Sequence, residues 1–280
     1  MTRVESDYYS YMEFYPEHTR EVLRHYVPMF EGRTPVLELG SGRGEFLGLL
    51  AEAGVQATGV DTDEGMVEKA RAEGLDVVCA DAVAFMQGDP PPGPYQGVFC
   101  AHLIEHLTPD QAQELLKGVR RVLAPGGRFV AVTPNPACYA VLSHDFWRDP
   151  THVRLYDLPL LEFLCRQAGL EVERTGTNPA NHPGPPPEYL TPEPVVPPPV
   201  QDLIDTAMRK VKESLDHHDR RGRPKDGHEP QWAYDLAHVV SVLAGRLQET
   251  TEALRELRRA HDKLVWGLYQ SNETYVVARG

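Results

Sequence analysis

The 280-residue chain carries 41 acidic against 28 basic side chains, a net charge of −13 that repels a phosphate backbone and disfavours nucleic acid as a partner. An apolar fraction of 41% suffices for a buried core, while no apolar run reaches the roughly 18 residues of a membrane-spanning helix. Cys79, Cys100, Cys138 and Cys165 form no CxxC pair and mostly sit in apolar runs, and the N-terminus lacks a charged-then-apolar leader, so a cytoplasmic protein with buried free thiols is expected.

Residues 1–34 are dense in aromatics (Tyr8, Tyr9, Tyr11, Phe14, Tyr15, Tyr26 and Phe30), with helical spacing from Glu17 to Val27. A helical segment is predicted there, packing its rings on the domain or walling a ligand pocket as a lid, since aromatic faces suit a cation or a sugar. From residue 35, apolar runs alternate with helical patterns. Strands are expected at 35–40, 55–60, 75–80, 95–101 and 127–133, separated by helices at about 44–53, 63–73, 82–87 and 109–124. Gly54 and Gly74 follow two of these helices, and Thr108-Pro109-Asp110-Gln111 supplies an N-cap, a proline at the first helical position and a capping-box glutamine. Such alternation with short links predicts a parallel, doubly wound α/β sheet that binds ligands beyond the carboxyl ends of its strands.

Residues 134–157 read as an irregular polar and aromatic loop. A helix capped by Asp157 and stopped by Gly169 follows, then a sixth strand at 170–175. These elements delimit a ligand-binding domain over 35–176. Ten prolines in 178–200 make 177–200 an extended linker. Within a helical insertion at 201–272, Leu236, Val240, Leu243, Leu247, Thr250, Leu254, Leu257, His261, Leu264 and Leu268 recur at alternating spacings of four and three. This coiled-coil-like seam, ~50 Å long at ~1.5 Å per residue, must be buried against residues 201–216, against a second copy as a homodimer, or both. The tail TYVVAR has strand character, and within 273–280 it is placed back in the sheet as an antiparallel strand.

The segment VLELGSGRGEF (36–46) joins a buried strand, a glycine loop and a helix N-terminus, a cradle for a nucleotide-like ligand. A dinucleotide loop wants G-x-G-x-x-G; here Glu38 precedes Gly40, Gly42 and Gly44 at every second position. Asp61 ends the second strand, where a carboxylate can accept both ribose hydroxyls. Asp81 ends the third, where beside the backbone of Ala82 it can read an adenine amino group.

Residues 35–133 resemble the class I S-adenosylmethionine-dependent methyltransferases. The likeness is carried in order by the loop at 38–44, Asp61, Asp81, the segment VFCAHLIEHL and the run LLKGVRRVLAPGGRFVAVT. The resemblance implies a Rossmann-like sheet of seven strands whose reversed last strand is TYVVAR. It also implies S-adenosylmethionine as cofactor, held by Glu38, Gly40, Ser41, Gly42, Gly44, Asp61, Thr62, Met66, Asp81, Ala82 and His102. The N-terminal aromatics and DPTHVRLY are similar to bacterial methyltransferases of sugars and small molecules, implying a small-molecule or glycan hydroxyl as acceptor.

His102-Leu-Ile-Glu105-His106 also fits the inverted zinc-protease signature H-x-x-E-H, which needs both histidines on one long helix. A strand before it and the cap at Thr108 after it exclude that helix. A hydroxyl acceptor needs its proton removed by a base or acidified by a metal, and His102, His106, His144 and His152 are the candidates. The ubiquinone-type and small-RNA 2′-O-methyltransferases hold a divalent ion with a Glu-x-x-Glu-His segment at this place. Here Glu105 and His106 match it, His102 replaces its first glutamate, and Thr133-Pro134-Asn135 is followed by His144 and His152 as in the RNA enzymes. A ligand set of His102, Glu105, His106 and His152 suits Mn, Fe or Zn better than Mg; alternatively, these residues orient one another and the cofactor without metal. Arg148 and Arg154 either clamp an anionic or sugar acceptor or anchor their loop. Two rival readings are RNA 2′-O-methylation and a retired methyltransferase fold serving coiled-coil assembly.

Overall fold

The computed structural model describes residues 16–88, 93–182, 184, 185, 187, 190, 202, 204–210 and 231–280. The chain divides into two compact units, one of residues 1–184 with 268–280 and one of residues 185–267. The aromatics from Tyr8 to Tyr15 and most of the proline linker lie outside the described residues.

Seven strands form one sheet: β1 Val36–Leu39, β2 Ala57–Asp61, β3 Val77–Cys79, β4 Tyr95–Ala101, β5 Leu123–Pro134, β6 Glu171–Thr177 and β7 Glu273–Arg279, in spatial order β3-β2-β1-β4-β5-β7-β6. Strands β1 to β5 run parallel, and β7 enters antiparallel between β5 and β6. The tail is therefore the strand that its β-branched residues predicted, reversed as the resemblance implies. Helices α1 Pro16–Leu23, α2 Glu45–Glu52, α3 Glu64–Ala72, α4 Ala82–Gln87, α5 Pro109–Val122 and α6 Leu158–Gln167 complete the first unit.

Period-two alternation sorts the strand residues onto two faces. Leu37, Leu39, Val98, Cys100 and Phe129 pack on one side with Met86, Leu115, Leu116, Val119 and Leu161 from α4, α5 and α6. Val36, Phe99, Val130, Val132 and Val277 face the other side with Tyr26, Phe30 and Phe46. The Phe46 and Phe99 rings lie 4.0 Å apart. The predicted single helix over Glu17–Val27 instead ends at Leu23 and continues as a 3-10 helix, Arg24–Met29. Pro28 explains the change: it lacks an amide hydrogen and disfavours the α conformation in the residue before it.

Helix α5 starts on the capping box. Thr108 N–H donates to Gln111 Oε1 at 2.9 Å, and Gln111 N–H returns to Thr108 Oγ1 at 3.4 Å. Thr108→Ala removes one side of this exchange at an exposed site and is expected to cost about 1 kcal/mol in urea unfolding. A loss under a few tenths would show that the glutamine alone suffices.

In the second unit, residues Gln231–Leu268 form one 38-residue helix, α7, and its seam residues Leu243, Leu254, Leu257 and Leu264 are exposed. Of residues 201–216, the expected partner of the seam, 202 and 204–210 are described and the others lie outside the described residues. Among the described residues no helix is long and apolar enough to cross a membrane.

Candidate active site

Strand β1 delivers Glu38 and the loop Gly40 to Gly44 to the carboxyl edge of the sheet. Gly40, Gly42 and Gly44 adopt φ values of +75°, +51° and +83°, the left-handed region that side chains avoid. At Gly44 a Cβ would also lie 2.5 Å from Leu75 Cδ1, so glycine is required there twice over. Strand β2 pins the loop: the Gly40 and Ser41 amides donate to Val60 C=O at 2.8 and 3.1 Å. Asp61 Oδ2 accepts from Gly42 N–H at 2.7 Å, and its Oδ1 accepts from Asp63 N–H at 2.9 Å. Asp61 thus braces the loop, and its carboxylate keeps further lone pairs for a ligand. Helix α2 begins after Gly44, which has no side chain to cap it, and the Leu47 amide of its first turn meets the Glu38 carboxylate instead.

The residues present fit S-adenosylmethionine, the cofactor that the resemblance implies. Glu38 is 4% exposed, and burial, reinforced by the Glu45 and Asp61 carboxylates, holds its pKa well above the ordinary carboxylate range. Its Oε2 and the Oγ of buried Ser41 have no hydrogen-bond partner among the described residues. Unpartnered buried polar atoms are costly, and a ligand carrying an ammonium and hydroxyls would satisfy them. Met66 closes on the loop, its sulfur 3.9 Å from where a Cβ on Gly42 would stand. Asp81 caps α4 through Ala84 N–H at 2.8 Å beside buried Ala82, and Thr62 sits exposed between Asp61, which ends β2, and Asp63.

Beyond β4 the chain turns sharply at His102, whose φ of +51° is the one left-handed value outside glycine among the described residues. Leu103 follows and packs on Gly40, so this turn leans on the cofactor loop. The His102 ring lies between two buried carboxylates: Nδ1 is 3.2 Å from Glu105 Oε1 and Nε2 is 3.1 Å from Glu273 Oε2. Burial opposes the charged ring, but the hydrogen bonds to Glu105 and Glu273 win and raise its pKa to about 10. At neutral pH His102 is an imidazolium with both N–H groups engaged. Its side chain keeps 45% of its surface open. Glu273 also accepts from Tyr26 Oη at 2.6 Å, Asn178 Nδ2 at 2.6 Å and Asn181 Nδ2 at 3.0 Å. Burial raises the pKa of both acids, yet pairing with His102 leaves each below its ordinary value.

A second arm comes from residues 141–154. The predicted irregular loop holds a π-helix, Val141–Asp145, and one α-turn, Phe146–Arg148; such π segments recur at functional sites. Glu105 C=O accepts from Val153 N–H at 2.8 Å and Arg154 N–H at 3.2 Å, which brings His152 onto His106 with ring centroids 4.7 Å apart. The His152 ring stacks on Phe146 at 4.5 Å, and its Nδ1–H donates to Phe146 C=O at 2.6 Å. His106 Nδ1 meets Thr151 Oγ1 at 2.7 Å, and that hydroxyl donates to Asp149 Oδ1 at 2.6 Å. A hydroxyl has one proton to give; with it spent on Asp149, the His106 nitrogen must be the donor. Both histidines therefore donate through Nδ1, so these bonds leave their Nε2 atoms unused. Burial lowers the His106 pKa, Glu105 opposing, and keeps that ring neutral.

One donor atom from each of Glu105, His106 and His152 lies within 4.8 Å of the others. His102, the fourth residue of the predicted ligand set, stands outside this group because both its nitrogens face carboxylates. His144 sits exposed on the π-helix, also outside it. Arg154 is exposed, its guanidinium 5.1 Å over the Tyr156 ring. Sequence reasoning missed Glu273, Asn178, Thr151 and Asp149. The D-P-T pattern at 149–151 is an Asx-turn signature that points to Thr151, and Thr151 N–H indeed donates to Asp149 Oδ1 at 2.8 Å.

The methyltransferase domain family matches residues 11–175. The chain is 29% identical over 154 residues to the biotin biosynthesis bifunctional protein BioHC of Cellvibrio japonicus, covering 52% of this chain and 29% of that one. It is also 29% identical over 152 residues to the ubiquinone biosynthesis O-methyltransferase of Pseudomonas aeruginosa, covering 49% of this chain and 65% of the relative. Both matches span less than two thirds of the relative's own length. The fold is shared with a SAM dependent methyltransferase from Archaeoglobus fulgidus, with a TM-score of 0.64 at 22% identity and 95% of each chain covered. With the family match extending over more than half of its residues and the glycine loop, strand order and reversed β7 in place, the chain belongs to the class I S-adenosylmethionine-dependent methyltransferases.

Proposed function

We propose that this chain methylates a hydroxyl oxygen of a small-molecule or glycan acceptor, and that the group Glu105, His106 and His152 activates that hydroxyl. The observation that carries the reading is His106, one short turn after β4, whose Nδ1 is taken up by Thr151 and whose pKa burial lowers. S-adenosylmethionine, when bound, supplies a methyl group on a sulfonium centre. Glu38, Ser41, Asp61, Met66 and the loop glycines hold and orient it, with Asp81, Ala82, Thr62 and His102 bordering the same edge. An amine acceptor needs little beyond alignment, whereas a hydroxyl must lose its proton. His106 Nε2 takes that proton, and His152 and Glu105 fix where the ring points. The name of the P. aeruginosa relative, an O-methyltransferase, agrees with oxygen as the target.

A labelled-methyl assay against phenolic, sugar and amine acceptors tests the reading. His106→Ala is expected to lower kcat on hydroxyl acceptors by roughly 10²–10⁴-fold while S-adenosylmethionine affinity stays unchanged. Preference for amines, or an active H106A, would sink it.

The convergence of three donor atoms favours a second reading, in which Glu105, His106 and His152 hold a divalent ion. Two histidines and one carboxylate leave coordination positions open, as catalytic rather than structural sites do; an ion there would acidify the acceptor hydroxyl. Elemental analysis and activity after chelation decide between them: full activity in metal-free protein assigns the proton to His106 alone. The net charge of −13 weighs against RNA as acceptor.

A further inference from the structure

Several features outside the assigned residues invite a role: the buried Glu273 hub, the exposed seam of α7, the exposed Trp147, and the Asp149–Thr151 pair. The last connects directly to the reacting group. We propose that Asp149 and Thr151 are positioning residues that lock His106 in the tautomer whose Nε2 points into the Glu105–His106–His152 group. This rests on the reading of that group as the hydroxyl-activating centre.

The relay is short and directional. Asp149 Oδ1 collects two donors from Thr151, the backbone N–H at 2.8 Å and the hydroxyl at 2.6 Å. With its proton committed to the carboxylate, Thr151 Oγ1 offers only lone pairs to His106 Nδ1 at 2.7 Å. Asp149 Oδ2 lies 3.9 Å from His152 Nε2, so one carboxylate faces both rings. The other two members are braced in parallel fashion. His152 spends its Nδ1 proton on Phe146 C=O, and Glu105 receives His102 on one oxygen and the Thr133 hydroxyl on the other at 3.2 Å. Each of the three side chains thus has an outer partner that fixes its orientation. Outer partners of this kind fix ring orientation and tautomer in histidine centres, and their loss costs such centres about 10–100-fold in affinity or activity.

The test uses the full chain and two readouts. In metal-free protein, long-range ¹⁵N–¹H NMR of the imidazoles reports the His106 tautomer. Wild type is expected to show Nδ1–H, Thr151→Val a mixture or Nε2–H, and Thr151→Ser the wild-type pattern. Titration with Co²⁺ alone, followed by its visible d–d bands, is expected to show affinity 10–100-fold weaker in T151V and within about threefold of wild type in T151S. S-adenosylmethionine affinity serves as the folding control for both variants. An unchanged His106 tautomer in T151V overturns the proposal. If wild type binds no Co²⁺ while T151V still shifts the tautomer, the relay stands and only the metal reading falls.

Discussion

Asp61→Ala is expected to weaken S-adenosylmethionine binding by about 100-fold or more, the largest single loss in the cofactor site. One carboxylate holds the Gly42 and Asp63 amides and, with its remaining lone pairs, is the natural acceptor for ligand hydroxyls. Hydrogen bonds to a charged group contribute about 1.5–3 kcal/mol each, and every ~1.4 kcal/mol is tenfold in affinity. Losing the ligand contact and freeing Gly42 together therefore reach two decades or more. Asp61→Asn keeps the shape but turns an NH₂ toward one backbone amide, so its loss should be intermediate. Calorimetric titration on variants checked by circular dichroism measures both. A D61A protein that binds the cofactor as wild type does would displace the cofactor from this loop.

Glu273→Gln is expected to be the most destabilising polar substitution. Four donors converge on that carboxylate, from Tyr26, Asn178, Asn181 and His102. Glutamine offers one oxygen, so the donors aimed at the other position would face an NH₂, and His102 would lose one of its two countercharges. Leaving buried donors without an acceptor costs about 1–3 kcal/mol, and the lost countercharge adds little because the His102 side chain is 45% exposed, so Tm should fall by on the order of 5 °C. The loss should depend on pH. The His102 pKa is raised from 6.5 to about 10 on folding, so its contribution is complete below about 6.5 and fades as pH rises to about 10. The Glu273 and Glu105 values are lowered, so their contribution is present above about 4.5 and lost as pH falls below it. The gap in Tm between wild type and E273Q should be widest near pH 5–6 and narrow toward pH 10. A gap under about 2 °C, or one constant across that range, would show that Glu273 is not the partner that holds His102 charged.

What the sequence disclosed was local. Strand ends fell within two or three residues at β1 to β4 because alternating burial and flanking glycines mark them. The capping box at Thr108 was legible from the Thr-Pro-Asp-Gln pattern, and the tail strand from its β-branched and aromatic residues. The α-to-3-10 change after Leu23 required weighing one proline against a continuing apolar period. The histidines could be named but not sorted. His102 and Glu273 are 171 positions apart, and only the sheet order brings them together. Sorting imidazolium from neutral base required knowing which rings meet carboxylates and which meet a hydroxyl or a carbonyl.

The position of β7 has a consequence for how the domain is made. Among the described residues strand β6 pairs with β7 alone, and β5 has β7 as its second neighbour. While a growing chain emerges from the ribosome, residues 171–177 have no strand to join until residues 273–279 appear, after the whole insertion. Until then β5 presents an open edge of the kind that recruits foreign strands, and Tyr26, Asn178 and His102 await their common acceptor. Sheet closure and the seating of His102 between its two acids are thus one late event, and a ribosome paused within α7 carries a half-built sheet.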